Sequence, residues 1–130
     1  MRLVGRTIFG GKTDGRALVS SSPMSFYGGV NPDTGEVVER GHELQGQSVK
    51  DRVLVFPHGK GSTVGSYVLY RLAKNGAAPR AMINSKCETI VAVGAIISEI
   101  PCVDMIDIGK IKTGARVRVD GARVQVRNPV

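Results

Sequence analysis

Hydrophobic positions in the middle of the chain change from a strand pattern to a helix pattern around a glycine-rich turn. The apolar run Val53 to Phe56 predicts a short buried strand, and the turn Gly59-Lys60-Gly61 ends it. From Val64 to Leu72 apolar residues recur at helical spacing, which predicts an α-helix that ends before Gly76.

Other runs of the same kind predict further strands at Arg2 to Phe9, Arg16 to Ser20, Ala81 to Asn84, Ala115 to Val119 and Ala122 to Val126. The last two flank Asp120-Gly121, which is a two-residue signal for a hairpin turn. Valines alternate with arginines along this hairpin, so we expect one buried face and one solvent-facing face.

A second helix is predicted from Glu88 to Glu99. It begins with a capping-box sequence that starts at Ser85, and it ends before Pro101. Because it is apolar nearly all round, we expect it to be buried between layers. The pattern as a whole predicts a β-rich α/β fold, with residues 1–130 forming one domain.

The stretch from Ser21 to Lys50 has little periodicity but many turn-forming residues. A segment of this length in a small domain is usually functional or an interface, although an ordinary excursion with a β-turn at Asn31 to Gly35 is an equal alternative. Phe26 and Tyr27 stand beside two glycines, where the backbone could approach a ligand or a partner.

Composition restricts the class of protein. The chain has 130 residues, 42% of them hydrophobic, which suits one domain with one core. The net charge of +7 permits a nucleic-acid partner, but the lysines and arginines are spread along the chain without a basic run, and aromatic residues that could stack on bases are few. We therefore expect no nucleic-acid partner. Nothing from Met1 to Gly10 resembles a signal peptide, and no apolar run reaches the length of a membrane span, so we expect a cytoplasmic protein.

Candidate metal ligands are scarce. Cys87 and Cys102 are too few to hold a zinc ion or an iron–sulfur cluster alone, and we expect both to be buried free thiols. His42 and His58 do not have the spacing of a metal pair. We expect no metal site in this chain.

The candidate catalytic residue is Ser62, at the junction between the turn and the predicted first helix. Ser62 or Thr63 would cap the helix, where unpaired amides and the helix dipole stabilise a negative charge. His58, four residues earlier, is a possible base. The turn matches neither a phosphate-binding P-loop nor the GxSxG nucleophile motif, so from local chemistry Ser62 is either a helix cap or an active-site residue.

Several segments together resemble the small subunit of aconitase X. They are Ser25 to Gly35 (SFYGGVNPDTG), Gly46 to Val49, the strand and turn from Val53 to Thr63 with its GKGST sequence, and Ala92 to Ile97 ahead of Ile100-Pro101. The resemblance extends from about Gly5 to Val126. Lys60 and Thr63 stand where the family pattern usually has arginine and a second serine.

The resemblance implies a swivelling β/β/α domain, similar to the mobile domain of aconitase, that packs over a larger subunit. That large subunit would hold a 4Fe-4S cluster whose open iron acts as a Lewis acid on the departing hydroxyl group. The implied activity is a hydro-lyase in isoprenoid biosynthesis that dehydrates phosphomevalonate, with hydroxyproline as the alternative substrate. Ser62 would be the proton acceptor, and Gly59, Lys60, Gly61 and Thr63 would contact the small anionic substrate.

Two other classes of function stay open at this point. One is an RNA-binding β-domain, suggested only by charge, and the other is a regulatory or scaffolding subunit in which Ser62 is structural.

Overall fold

A mixed eight-stranded sheet forms the centre of the computed structural model, which describes all residues from Met1 to Val130. The elements in chain order are β1 (Arg2–Val4), β2 (Arg6–Phe9), β3 (Lys12–Val19), β4 (Val53–Phe56), α1 (Gly65–Lys74), β5 (Ala81–Asn84), α2 (Thr89–Ser98), β6 (Cys102–Asp104), a short 3-10 helix (Ile108–Lys110), β7 (Arg116–Asp120) and β8 (Arg123–Arg127).

The strand order is β1-β8-β7-β3-β4-β5-β6-β2, and β3 joins its two halves. The first part of β3, Lys12 to Arg16, pairs antiparallel with β7, whereas Ala17 to Val19 pair in parallel with β4. Strands β3 to β6 are parallel neighbours, and antiparallel strands flank them on both sides. The carboxyl ends of the parallel strands therefore lie at one edge of the sheet.

Two hydrophobic clusters lie on opposite faces of the parallel strands. Along β4, Leu54 and Phe56 belong to an 18-residue cluster shared with the helices and the 21–50 segment. Val53 and Val55 belong to a 13-residue cluster shared with β7 and β8. The resulting layers are an antiparallel sheet, a parallel sheet and a helical layer, so the predicted β-rich α/β fold of β/β/α type is confirmed.

The predicted strand Arg2 to Phe9 is wrong as a single element. The strand is interrupted at Gly5, which separates β1 from β2. Strand β1 pairs with β8, whereas β2 pairs with β6 at the opposite end of the strand order. Gly5 lies so close to the backbone carbonyl of Asp104 that no side chain fits there. The sequence analysis also missed β6, because three residues are too few to establish a period.

The hairpin has the predicted two faces. Val117 and Val119 are buried, and the arginines between them are exposed. The turn is one residue later than expected, because Asp120 pairs with Arg123 and leaves Gly121-Ala122 as the connecting residues.

Helix α2 differs from its prediction in two ways. Its N-cap is Glu88 rather than Ser85, and the Glu88 carboxylate accepts the N–H groups of Ile90 and Val91, each at 2.8 Å. The helix is also not buried between layers, since only Val91, Gly94 and Ala95 are buried. One side of α2 packs on α1, with Gly94 directly against Leu69, and the other side is exposed.

A buried carboxylate ties β2 to β6. Arg6 donates through Nε and Nη2 to the two oxygens of Asp104 at 3.0 and 2.8 Å, and the N–H of Cys87 donates to the same carboxylate at 2.9 Å. Burial alone would raise the pKa of Asp104. The bonds from Arg6 and Cys87 stabilise the ionised form, so that the pKa lies below its ordinary value.

We expect Asp104→Asn to lower the free energy of unfolding by about 1 to 3 kcal/mol at neutral pH, because charge-assisted bonds to a buried group are lost. The folded-state pKa of Asp104 lies below the unfolded value of about 3.9, so this stabilisation is present above that value and is lost as the pH falls through the folded-state pKa. Urea unfolding at pH 7 and at about pH 2 measures the difference. An equal deficit at both pH values would contradict the assignment, and Asp120→Asn, at an exposed carboxylate, is the control.

Candidate active site

The candidate site lies at the edge of the sheet where the parallel strands end. The 21–50 segment follows β3, and the glycine-rich turn follows β4, so both leave the sheet at this edge. In open α/β sheets this is where ligands bind.

Main-chain hydrogen bonds attach the turn to the 21–50 segment. The N–H of Met24 donates to the carbonyl of His58 at 3.1 Å, and the N–H of Lys60 donates to the carbonyl of Met24 at 3.0 Å. The ammonium group of Lys60 is also 2.9 Å from Oε2 of Glu39. This segment and the turn therefore lie together on one side of the domain.

The 21–50 segment is packed, with small bridges in place of regular strands. Phe26 is buried in the core, with its ring edge-on to Phe56 at a centroid distance of 5.9 Å. Tyr27, in contrast, is 57% exposed. Of the two adjacent residues Phe26 and Tyr27, only Tyr27 is available to a ligand or a partner.

Ser62 is exposed at the end of the turn, but it is not the N-cap of α1. The helix begins at Gly65 with Val64 as its N-cap, and no side chain caps it. The carbonyls of Ser62 and Thr63 accept tight i+3 bonds from Gly65 and Ser66. Because this 3-10-type turn precedes the helix, α1 begins only at Gly65. The predicted cap at Ser62 or Thr63 is therefore wrong.

The hydroxyl oxygen of Ser62 accepts the N–H of Val64 at 3.2 Å. Its proton is donated to no group of the chain. The hydroxyl thus has one local contact, lies just before the positive end of α1, and is exposed.

The remaining predicted site residues surround Ser62 in different environments. Gly59 is buried between the Glu88 carboxylate and Val91 Cγ2, where any Cβ would be 2.7 Å from the latter atom. Gly61 has φ +87°, which favours glycine. Thr63 is exposed, and Lys60 is 44% exposed while paired with Glu39.

Neither histidine is positioned as the base for Ser62. Nδ1 of His58 lies 2.8 Å from the carbonyl of Gly59, and no hydrogen bond joins its ring to Ser62. His42 is buried, with one ring nitrogen accepting the N–H of Leu44 and the other 3.0 Å from the carbonyl of Pro23.

A carboxylate clamp at the end of β3 was missed by the sequence analysis. Oε1 of Glu43 accepts the N–H and hydroxyl of Ser21, each at 2.7 Å, and the N–H of Ser22 at 3.0 Å. The bond from the Ser21 hydroxyl is the main reason that the pKa of Glu43 lies below its ordinary value. Three consecutive serines after a strand were the available signal.

The chain contains no group of three or more His, Cys, Asp or Glu side chains that could hold a metal ion. Cys102 is buried and Cys87 half-buried, both as free thiols. The Cys87 thiol donates to the carbonyl of Glu88 at 3.5 Å, and the Cys102 thiol donates to Oδ1 of Asn84 at 3.9 Å. The interaction with the neighbouring Cys87 thiol, together with burial, raises the pKa of Cys102. No helix has the length and apolar character needed to cross a membrane.

Comparisons with known proteins extend over nearly the whole chain. A family model described as the aconitase X swivel domain matches residues 2–127. The phosphomevalonate dehydratase small subunit of Thermococcus sibiricus is 56% identical over 126 residues, covering 97% of each chain. The protein of the same name from Methanocella arvoryzae is 59% identical over 124 residues, covering 93% of this chain and 94% of its own length.

A solved structure has the same fold. The crystal structure of Thermococcus kodakaraensis aconitase X in its holo-form superimposes with a TM-score of 0.96 at 53% identity, covering 98% of this chain and 99% of that one.

Proposed function

Because this chain belongs to the aconitase X swivel domain family, we propose that it is the small subunit of a phosphomevalonate dehydratase, a hydro-lyase that is active only with a large subunit. The observation that carries the proposal is the near-complete, two-way coverage by relatives of that name at more than half identity. The exposed Ser62 turn at the carboxyl edge of the sheet supports it.

In the proposed reaction, (R)-5-phosphomevalonate loses water to form trans-anhydromevalonate 5-phosphate. The Ser62 alkoxide takes a proton from the carbon next to the carboxylate. The electron pair of that C–H bond forms the new double bond, and the hydroxyl group leaves the neighbouring carbon. The role of this chain is to hold the proton acceptor over the substrate.

An unperturbed serine hydroxyl is far too weakly acidic for this role, so the site must stabilise its ionised form. The positive end of the α1 dipole lies directly after Ser62, and the N–H of Val64 donates to the Ser62 hydroxyl oxygen. Lys60 is already ion-paired with Glu39, so we assign the missing positive charge to the large subunit.

The turn would also contact the substrate. We propose that the backbone of Gly59 and Gly61 and the side chains of Lys60 and Thr63 line the substrate from this side. The ion pair between Lys60 and Glu39 is exposed enough for an anionic substrate to compete with Glu39 for the ammonium group.

The residues of this chain do not fit a 4Fe-4S cluster, since it has only two cysteines, and their thiols are hydrogen-bonded to the Glu88 carbonyl and to Asn84. We therefore assign the cluster to the large subunit. We further propose that residues 1–130 move as a single swivelling domain over that subunit, and that the complex is cytoplasmic.

Anaerobic co-expression with the large subunit of the same organism, followed by assay with mevalonate 5-phosphate, tests the proposal. We expect dehydration by the complex and none by either subunit alone, with the isolated small subunit colourless. Turnover by this chain alone would contradict the proposal, and preferential turnover of hydroxyproline by the complex would reassign the substrate.

A further inference from the structure

The outer sides of both helices carry large apolar side chains that no other part of the chain covers. On α2, Val93 is 42% and Ile96 51% exposed, and Ile97 beside them is 39% exposed. On α1, Tyr67 is 65% exposed, and Val64 at its start is 44% exposed. Isolated exposed apolar residues are ordinary, but a contiguous set of them marks an interaction site.

These side chains form one continuous surface. Val64 and Tyr67 line a groove together with Tyr27 and Val38 of the 21–50 segment. The same two residues line a second groove with Val93 of α2. The apolar surface therefore runs from the 21–50 segment across α1 and on to α2.

The edges of this surface are polar. The Lys60–Glu39 ion pair lies next to Val38 in the chain, and Arg71 at the edge of the first groove is 3.7 Å from Asp33. An apolar centre with a charged rim is the usual composition of a protein–protein interface.

The opposite layer has a different character. The outer face of the antiparallel sheet exposes arginines on neighbouring strands, including Arg2, Arg116 and Arg118, and its grooves are lined mainly by polar side chains. The outer face of the antiparallel sheet is polar and compatible with solvent. The helical side exposes the apolar side chains that a protein partner would cover.

We propose that the apolar surface formed by Tyr27, Val38, Val64, Tyr67, Val93 and Ile96 is the docking site for the large subunit. This inference rests on the proposed function, which requires a large subunit. The surface includes Val64, two residues after Ser62, so a partner seated on it lies next to the catalytic turn. Docking and the placement of Ser62 over the substrate are thereby performed by one continuous surface.

Binding of the purified large subunit to variants of the full small subunit tests the proposal without substrate. We expect Tyr67→Ala and Ile96→Asp each to raise Kd by at least about 10-fold, because each removes a large apolar contact from the proposed interface. The control is Val4→Asp, which changes a side chain that is 73% exposed on β1, in the antiparallel sheet. It should leave Kd within about twofold, as expected for a residue outside the interface. Circular dichroism checks that each variant is folded.

An unchanged Kd for both helix variants would overturn the proposal, as would an equal loss of binding in Val4→Asp. The surface would then be assigned to a second copy of this chain if Ile96→Asp converted a small-subunit dimer to a monomer while binding to the large subunit persisted. Failure of the proposed function is separately visible, since a wild-type complex that assembles but does not dehydrate mevalonate 5-phosphate leaves the docking result intact.

Discussion

Replacing Ser62 by alanine is expected to lower the turnover number of the complex by about 100-fold to 10,000-fold, the range that a positioned acid–base group contributes. The structure separates this role from helix capping, because α1 begins at Gly65 and Ser62 does not cap it. Loss of the hydroxyl removes a single hydrogen bond, to the Val64 N–H in an exposed turn. The free energy of unfolding should therefore fall by no more than about 1 kcal/mol.

Thr63→Ala is the matched control for that substitution. It removes the adjacent hydroxyl in the same exposed turn, and we expect turnover within a few-fold of wild type if Thr63 only contacts the substrate. The comparison uses anaerobic turnover with mevalonate 5-phosphate and urea unfolding of the isolated small subunit. Near-normal turnover in Ser62→Ala, or equal losses in both variants, would remove Ser62 from the mechanism.

The elements that the sequence predicts best are those whose environment is uniform. Strands β4 and β5 were predicted with both of their observed ends, because each is a four-residue run buried on both faces and bounded by turn-forming residues. The two strands of the hairpin were also predicted, because one face of each packs on the core and the other faces solvent, which gives a regular alternation along the sequence.

The predictions of secondary structure are wrong where an element depends on contacts with residues that are distant in the chain. The split at Gly5 depends on its contact with Asp104, 99 positions later, which no local period reveals. The exposure of one side of α2 was likewise not predicted, because it depends on which other segments pack against the helix. Its apolar composition predicts burial, but no other part of this chain covers its outer side.

The candidate site divides in the same way. The GKGST turn could be recognised by its resemblance to a family, and the position of Ser62 follows from the strand before it. The contacts that hold the turn, between Met24 and His58 and between Lys60 and Glu39, join positions far apart in sequence and could not be inferred from spacing. The Glu43 clamp was missed for that reason as well.

Gly59→Ala is expected to lower turnover at least about tenfold and the free energy of unfolding by about 1 to 3 kcal/mol, because a methyl group overfills a packed position. The new Cβ would meet the Glu88 carboxylate and Val91. Val91 is fully buried, and Glu88 is held by the first amides of α2. Since Met24 holds the other side of the turn, the turn itself must move and carry Ser62 with it. A displacement of about 1 Å at a reacting group can cost 100-fold in rate.

Gly10→Ala is the control for Gly59→Ala, because a Cβ at Gly10 meets nothing closer than Thr7 Cγ2 at 3.7 Å, an ordinary contact. Neither glycine has a positive φ, so both substitutions change the intrinsic backbone preference alike. We expect Gly10→Ala to retain wild-type turnover. A Gly59→Ala complex with normal turnover would mean that the turn tolerates displacement, and the close packing of Gly59 against α2 would then have no part in placing Ser62.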